Sequence, residues 1–239
     1  MRHLLPELSG AKSMRRFFAA ALLMTLVIFA ACSQGTTTPP PSAASLLSKA
    51  SAAFNADTAL HFTITASNIQ PGVFAIAKAD GDFVRPDSMK VTADDNILAG
   101  ITQQIHVIFI NGTVYADLSG TGVYSQTTLI PDVSKLFDPQ VGIGAIITQI
   151  QSPSAPSSDT VNGVSVWKVS GNISNSVVAS FFGGASQTTP ISVTLWIGQK
   201  DSQIYQVSLK GIIVSGDTNA SERVITLSQF NEHVTITAP

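Results

Sequence analysis

The residue types that carry out covalent or metal chemistry are few in this chain, and their spacing argues against both. Downstream of the single cysteine, His61, His106 and His233 stand far apart and form no HExxH motif or other zinc-ligand pair. One cysteine excludes an internal disulfide and any zinc site that needs several thiolates. The aspartates on either side of Gly81 lack the longer acidic series of an EF-hand, so we interpret them as solvated turn carboxylates. We therefore expect no catalytic centre, no metal and no cofactor, with the histidines on an outer face or edge of a sheet.

The cysteine, Cys32, closes a segment that has the parts of a secretory signal. Two arginines precede residues 17–31, a run of 15 uncharged and mostly apolar residues. This run is shorter than the roughly 20 residues that a membrane-spanning helix needs. Two alanines then supply the small residues found before a lipidated cysteine in bacterial lipoproteins. We expect residues 1–31 to be a signal peptide and Cys32 to carry a lipid anchor; the alternative is a cysteine that merely follows a signal peptide.

The segment after Cys32 is typical of a tether. Residues 33–42 contain no charge and no large apolar side chain, and we place the lipidated tether at residues 32–44. Fully extended, about ten residues reach roughly 35 Å. The segment before Cys32 holds four basic residues and one acidic residue, so the remainder has nine basic and 14 acidic residues, a formal net charge of −5. This balance argues against nucleic-acid binding and against electrostatic attraction to anionic lipid.

The composition favours a β-rich domain that begins with a helix. Only 12% of the residues are charged, about half of the usual share, while serine, threonine, valine and isoleucine are abundant. Apolar residues from Leu46 to Phe54 recur at helical spacing, with Ser42 or Ser45 available as the N-cap. After Asp57 the apolar period changes to two, which is typical of a half-buried strand.

Strand patterns then recur along most of the chain. Asn111 and Gly112 lie between two apolar runs and predict a tight hairpin. The regular spacing and the short turns favour one large antiparallel sheet. The predicted strands are residues 60–65, 73–78, 88–93, 105–110, 113–118, 164–170, 191–197, 204–210, 223–230 and 233–237.

Two segments do not alternate and are interpreted as short helices. Residues 133–150 are rich in isoleucine and are interrupted by Pro139 and two glycines, which favours two short helices with an apolar face. Residues 175–182 predict another short helix, ended by two glycines. Residues 152–158, with two prolines, are interpreted as a surface loop.

A large sheet that stays open and curls needs a filling, which is either its own side chains or an apolar ligand. Trp196 lies on the opposite side of its predicted strand from Val193, Leu195 and Ile197, so that strand is apolar on both faces at one point. Trp196 is therefore either a core residue or a wall residue of a hollow that accepts lipid. An apolar void of more than about 1,000 Å³, above the usual range for drug-sized ligands, is the most informative structural observation.

Nine short sequence pieces lie in a fixed order along residues 45–239, and none of them is a catalytic signature. The pieces are Leu46-Leu47-Ser48-Lys49-Ala50, Leu60-His61-Phe62, Ala79-Asp80-Gly81-Asp82-Phe83, Phe109-Ile110-Asn111-Gly112-Thr113-Val114-Tyr115, Phe137-Asp138-Pro139 with Gly142-Ile143, Val161-Asn162-Gly163, Ser170-Gly171-Asn172-Ile173, Leu195-Trp196-Ile197 and Val234-Thr235-Ile236-Thr237-Ala238-Pro239. Their order resembles that of the LppX/LprG-type bacterial lipoproteins (LppX_LprAFG), a family with a LolA-like half-barrel.

The resemblance implies an α+β fold: a single large curved antiparallel sheet with short helices packed on its concave face. It also implies a hydrophobic cavity for the acyl chains of a glycolipid, phospholipid or triacylglycerol, and a carrier role within the cell envelope, in some members with a lipid exporter as partner. We expect a monomer, anchored through Cys32 to the extracytoplasmic side of the cell membrane. The residues expected to contact the lipid are Ile143, Ile146, Ile147, Ile150, Val178, Phe181 and Phe182 from the helices and Val193, Leu195 and Trp196 from the sheet.

Two other classes of function remain open at this point. The same half-barrel could serve as an envelope sensor or regulatory module that binds a protein. An enzyme such as an esterase is disfavoured, because the sequence pairs no nucleophile with a base.

Overall fold

One antiparallel sheet dominates the structure, a computed structural model that describes residues 40–72, 75–130, 134–182 and 188–239. Within these residues the sheet has 11 strands, in the order β6-β5-β4-β3-β2-β1-β11-β10-β9-β8-β7. The strands are β1 Ala59–Ser67, β2 Ile76–Val84, β3 Ser88–Leu98, β4 Ile101–Ile110, β5 Thr113–Asp117, β6 Ser125–Gln126, β7 Ser157–Val161, β8 Val164–Ile173, β9 Ile191–Gly198, β10 Ile204–Lys210 and β11 Glu222–Ser228. This arrangement confirms the single large antiparallel sheet.

The topology consists of two meanders joined at the centre of the sheet. Strands β1 to β6 pair in chain order, and so do β7 to β11. Strand β1 pairs antiparallel with β11, so the two meanders meet through the first and last strands. Asn111 and Gly112, both at positive φ (51° and 71°), form the predicted turn between β4 and β5.

In the described part of the chain, four helices complete the fold: α1 Ala43–Ala56, a 3₁₀ helix Ser134–Phe137, α2 Ile143–Ile147 and α3 Asn175–Phe182. The Ser42 side chain caps α1 by accepting a hydrogen bond from the amide of Ser45 (3.3 Å), so α1 begins inside the expected tether. Helix α1 buries Leu46, Leu47 and Phe54 and contacts α2, where the Ser51 hydroxyl donates to the carbonyl of Gly144 (2.7 Å). Among the residues that the structure describes, no helix has the length and hydropathy of a membrane span.

The helices cover one face of the sheet, which we call the inner face; the other is the outer face. Apolar side chains of the helices and of the inner face form one core cluster, whose buried members lie between Leu46 and Leu227. Residues 40–239 form one compact unit that holds this entire cluster. A chain of residues 40–239 therefore contains what it needs to fold by itself.

The segment around Gly81 forms strand rather than the predicted turn. Asp80 and Asp82 lie within β2, and Gly81 sits where a Cβ atom would come 2.5 Å from the carbonyl oxygen of Lys90 and 2.9 Å from the ring of Phe62. The aromatic ring therefore crosses the strand at the one position that has no side chain. Glycine and aspartate obscured the strand pattern because both are rare in strands.

Two further predictions of strands and loops were wrong. Residues 233–237 alternate in polarity but form no strand; β11, which they follow in the sequence, already pairs on both sides, with β1 and β10. Residues 157–161 form β7 at the edge of the sheet, although residues 152–158 were interpreted as a loop.

Candidate functional site

An apolar cavity of about 360 Å³ lies between the inner face of the sheet and the helices. Strands β1 to β4 and β8 to β11 form its floor, and the 3₁₀ helix, α2 and α3 lie across it. Its volume is near the lower end of the range for pockets that take drug-sized ligands, and below the 1,000 Å³ named above. The strand residues of the lining are Phe62, Ile64, Ile76, Ala79, Met89, Val91, Ala93, Ile105, Val107, Phe109, Ile173, Val193, Leu195, Val207, Leu209, Arg223, Ile225 and Leu227.

Strand alternation explains how so many separate residues reach one space. Successive side chains of a strand point to opposite faces, so every second residue of β3 and β4 faces inward. Met89, Val91 and Ala93 line the cavity from β3, and Val107 lies opposite Val91 in the register. The lining is therefore a direct consequence of the period-two pattern in the sequence.

The structure brings most of the predicted lipid-contacting residues together at this cavity. Those that line it are Ile143, Ile146, Ile147, Ile150, Val178, Val193 and Leu195. The side chains of Phe181 and Phe182, and the whole of Cys32, lie outside the described residues. Sequence reasoning missed the larger strand share of the lining, although the same alternation could have identified it.

Trp196 does not line the cavity, contrary to the prediction. It lies on the outer face of β9, because its neighbour Leu195 faces inward. Its indole N–H donates a hydrogen bond to Oδ2 of Asp159 (2.9 Å), and Nζ of Lys168 lies 5.2 Å from the centroid of the ring. The hydrogen bond from Trp196 lowers the pKa of Asp159. The tryptophan thus packs against polar side chains of β7 and β8.

Aromatic stacking and one arginine hold the 3₁₀ helix over one end of the cavity. The ring of Phe137 stacks on that of Phe83, with centroids 3.4 Å apart, and on that of Phe54 at 6.0 Å. The guanidinium of Arg85 donates to the carbonyl oxygens of Asp57 (2.6 Å), Phe54 (2.8 Å) and Phe137. The Arg85 side chain therefore joins the end of α1 to the 3₁₀ helix, and no sequence pattern predicts this role.

At the other end, Arg223 is the one residue of the described lining that is not apolar. Its guanidinium donates two hydrogen bonds to the carboxylate of Asp217 (2.7 and 2.9 Å), whose side chain is only 2% exposed. The carboxylate also accepts from the amides of Ile213 and Val214, both at 2.9 Å. Burial raises the pKa of Asp217, but the hydrogen bonds from Arg223 and the two amides outweigh it, so the pKa lies below its usual value.

This ion pair has two consequences for the cavity. It neutralises the positive charge that Arg223 brings to an otherwise apolar wall. It also fixes the segment between β10 and β11, from which Ile213 and Val214 reach the cavity. The arrangement can hold an apolar guest, but it presents no paired nucleophile and base to that guest.

A family model for the LppX_LprAFG lipoproteins matches residues 42–236. The chain belongs to the LppX_LprAFG lipoprotein family. This confirms the resemblance seen in the sequence. The lipoprotein LprA of Mycobacterium tuberculosis (strain H37Rv) is 25% identical over 201 residues, which cover 81% of this chain and 80% of LprA. The lipoarabinomannan carrier protein LprG of Mycolicibacterium smegmatis is 24% identical over 200 residues, 81% of each chain.

Two solved structures, those of LprF and LppX, share the fold of this chain. LprF from Mycobacterium bovis aligns with a TM-score of 0.68 and 23% identity, over 84% of this chain and 98% of LprF. LppX from Mycobacterium tuberculosis aligns with a TM-score of 0.63 and 19% identity, over 82% of this chain and 98% of LppX. The curved sheet with helices on its concave face is therefore the fold of this LppX_LprAFG protein.

In this LppX_LprAFG protein, His61 and His106 and their polar partners lie on the outer face of the sheet, away from the cavity. His61 places Nδ1 2.9 Å from Oδ1 of Asp82 and Nε2 3.3 Å from Oδ2 of Asp80, while Nδ1 of His106 lies 3.0 Å from the hydroxyl of Thr92. His233 is exposed and lies outside the strands. In the described part of the chain, no group of three or more His, Cys, Asp or Glu side chains is arranged to hold a metal ion.

Proposed function

We propose that this lipoprotein binds the acyl chains of lipids in its apolar cavity and transfers them within the cell envelope. The observation that carries the proposal is the cavity itself, whose described lining is apolar apart from a neutralised arginine. Each methylene removed from water contributes roughly 0.8 kcal/mol, so a sixteen-carbon chain gains about 13 kcal/mol. The name of LprG, a lipoarabinomannan carrier, is consistent with such a role.

The proposal includes attachment to the membrane through Cys32, on the extracytoplasmic side. A diacylglyceryl group joined to Cys32 through a thioether, with acyl chains such as palmitate, would supply the two or more chains that stable anchoring needs. We further propose that the protein acts as a monomer that receives its lipid from an exporter or from the membrane. Release then requires an acceptor that solvates the acyl chains as well as the cavity does.

The size of the cavity favours a guest with one enclosed acyl chain. A volume of about 360 Å³ is small for a lipid whose three chains are all buried, as they are in a fully enclosed triacylglycerol. A glycolipid or phospholipid with one chain inside and its headgroup in water agrees better with this volume. Competition between fluorescent fatty acid and lipids of one, two or three chains measures this preference.

A cross-strand pair of alanines allows a direct test of the cavity. Ala79 and Ala93 lie opposite each other on β2 and β3 and both line the cavity. The double variant Ala79→Phe/Ala93→Phe places two phenyl rings in the space that a guest would occupy. Thr63 and Thr226, opposite each other on β1 and β11, point to the outer face, so Thr63→Phe/Thr226→Phe is the matched control.

We expect the alanine double variant to lose binding of a fluorescent fatty acid at least tenfold, while the threonine double variant binds as the parent does. Circular dichroism and thermal unfolding verify that both variants fold. Equal binding by all three folded proteins would show that fatty acid does not enter this cavity. Failure of the parent protein to bind any acyl probe would overturn the proposed function as a whole.

A further inference from the structure

The hairpin between β3 and β4 ends in an unusual pair of exposed apolar side chains. Leu98 is 61% exposed and Ile101 is 51% exposed, on either side of a two-residue turn. Residues 97–104 carry no charge. We call residues 98–101 the apolar tip. Adjacent exposed apolar side chains with no charge among them form a candidate contact for a protein or a membrane.

A bulge turns both side chains of the apolar tip toward the inner face. The register of β3 and β4 shifts by one residue between Asn96 and Leu98, so that Leu98 lies opposite Ile101. Opposed residues point to the same face, and Ile101 is on the same face as Ile105, four residues along β4. Ile105 lines the cavity. The apolar tip therefore lies on the same side of the sheet as the cavity wall, and the polar pair Asp95 and Gln103 stands between the two.

The apolar tip also projects from the end of the sheet at which the cavity contains Arg223. Arg223 pairs with Ala66, close to the end of β1. The next strand begins at Ile76, another cavity residue, which pairs with Asp95 of β3. The tip begins three residues beyond Asp95, and Ile101 lies about 13 Å beyond the cavity residue Ile105 at 3.3 Å per strand residue.

We propose that the apolar tip docks into the lipid bilayer and thereby brings this end of the cavity to the membrane surface. This inference rests on the proposed function, because it supplies the route by which an acyl chain enters or leaves. A bilayer suits the tip because the tip is apolar, uncharged and small. Seven residues separate Cys32 from Pro40, so an anchored protein keeps its folded part within roughly 25 Å of the membrane.

The test is flotation of residues 40–239 with vesicles of neutral phosphatidylcholine. The variant Leu98→Ser/Ile101→Ser removes the two apolar side chains of the tip. Since both side chains are about half exposed, their transfer into lipid accounts for roughly a thirtyfold change in partitioning. Val141→Ser is the matched control, because Val141 is 54% exposed and lies in the turn before α2.

We expect the tip variant to bind vesicles about thirtyfold more weakly than the parent, while the Val141 variant binds as the parent does. The affinity of the parent for the vesicles should change by less than about tenfold between 0.05 and 0.5 M salt, because the apolar tip carries no charge. Equal partitioning of parent and tip variant, salt-sensitive binding, or no binding by the parent would overturn the inference. A dimer of the parent that the tip variant cannot form would also overturn it, since the tip would then bind a second copy.

A second measurement distinguishes this inference from the proposed function. The apolar tip does not line the cavity, so the tip variant should still take up a fluorescent fatty acid from solution. Its delivery of that fatty acid to acceptor vesicles should slow by at least tenfold. Normal uptake with normal delivery refutes the docking role alone, whereas failure of uptake in the parent refutes the proposed function.

Discussion

Replacing Asp217 by alanine should destabilise the fold and disturb the cavity at the same time. The substitution removes the acceptor of two hydrogen bonds from Arg223 and of one each from the amides of Ile213 and Val214. Breaking one partner of a buried ion pair costs about 3–5 kcal/mol, because the other charge stays buried without compensation. Arg223 is 15% exposed, so a loss of about 3 kcal/mol in the free energy of unfolding is expected.

Urea unfolding of residues 40–239, followed by tryptophan fluorescence, measures this loss. With an m-value of about 2 kcal/mol per molar urea, the midpoint should fall by about 1.5 M. Affinity for fatty acid should also fall, because an uncompensated guanidinium then lies in the cavity wall. The control is Asp201→Ala, since Asp201 is exposed and accepts from the hydroxyl of Tyr205 (2.7 Å).

The control should change the free energy of unfolding by less than about 1 kcal/mol. If Asp217→Ala is no more destabilising than Asp201→Ala, the ion pair does not stabilise the cavity wall as described. If it destabilises the fold but leaves fatty-acid affinity unchanged, the role of Arg223 in the lining is refuted.

Two further predictions concern pH and close packing. The pKa of Asp217 is lowered in the folded protein. The ionised carboxylate therefore contributes its full stabilisation above about pH 4, where an unfolded carboxyl is ionised, and this contribution is lost as the pH falls through the folded pKa. Urea titrations from pH 5 to pH 2.5 should show that the difference in unfolding free energy between the parent and Asp217→Ala shrinks in acid. Gly81→Ala should lower the free energy of unfolding by about 1–3 kcal/mol, because the new Cβ would lie 2.5 Å from the carbonyl oxygen of Lys90. The control Gly72→Ala, whose Cβ would have no atom within 4 Å, should unfold close to the temperature of the parent. Equal unfolding temperatures for the two variants would contradict the packing described around Gly81.

The sheet and the first helix were predictable because their patterns are local. Alternation from Leu60 onward and the Asn111–Gly112 turn place strands and a hairpin with few alternatives. The spacing from Leu46 to Phe54 places α1. For the same reason, most of the residues predicted to contact lipid lie at the cavity. Apolar residues at regular spacing share one face of a strand or helix, and that face points into the space between the sheet and the helices.

The failures have a different cause, because they depend on which strands become neighbours. In the sequence, Trp196 stands beside apolar residues. Only the pairing of β9 with β8 shows that Lys168 lies next to Trp196 on the outer face of the sheet. Residues 233–237 have a strand pattern, but both edges of the preceding strand, β11, are already paired. The bond between Arg223 and Asp217 links a strand with the loop before it, and no spacing rule predicts it.

The central claim is that the cavity holds acyl chains, and native mass spectrometry of protein purified without detergent tests it most directly. The parent and the outer-face variant Thr63→Phe/Thr226→Phe should both carry a bound lipid mass that gentle activation releases. The cavity-filling variant Ala79→Phe/Ala93→Phe, folded to the same extent, should be free of lipid. A lipid-free parent, or the same lipid on all three proteins, would contradict the claim.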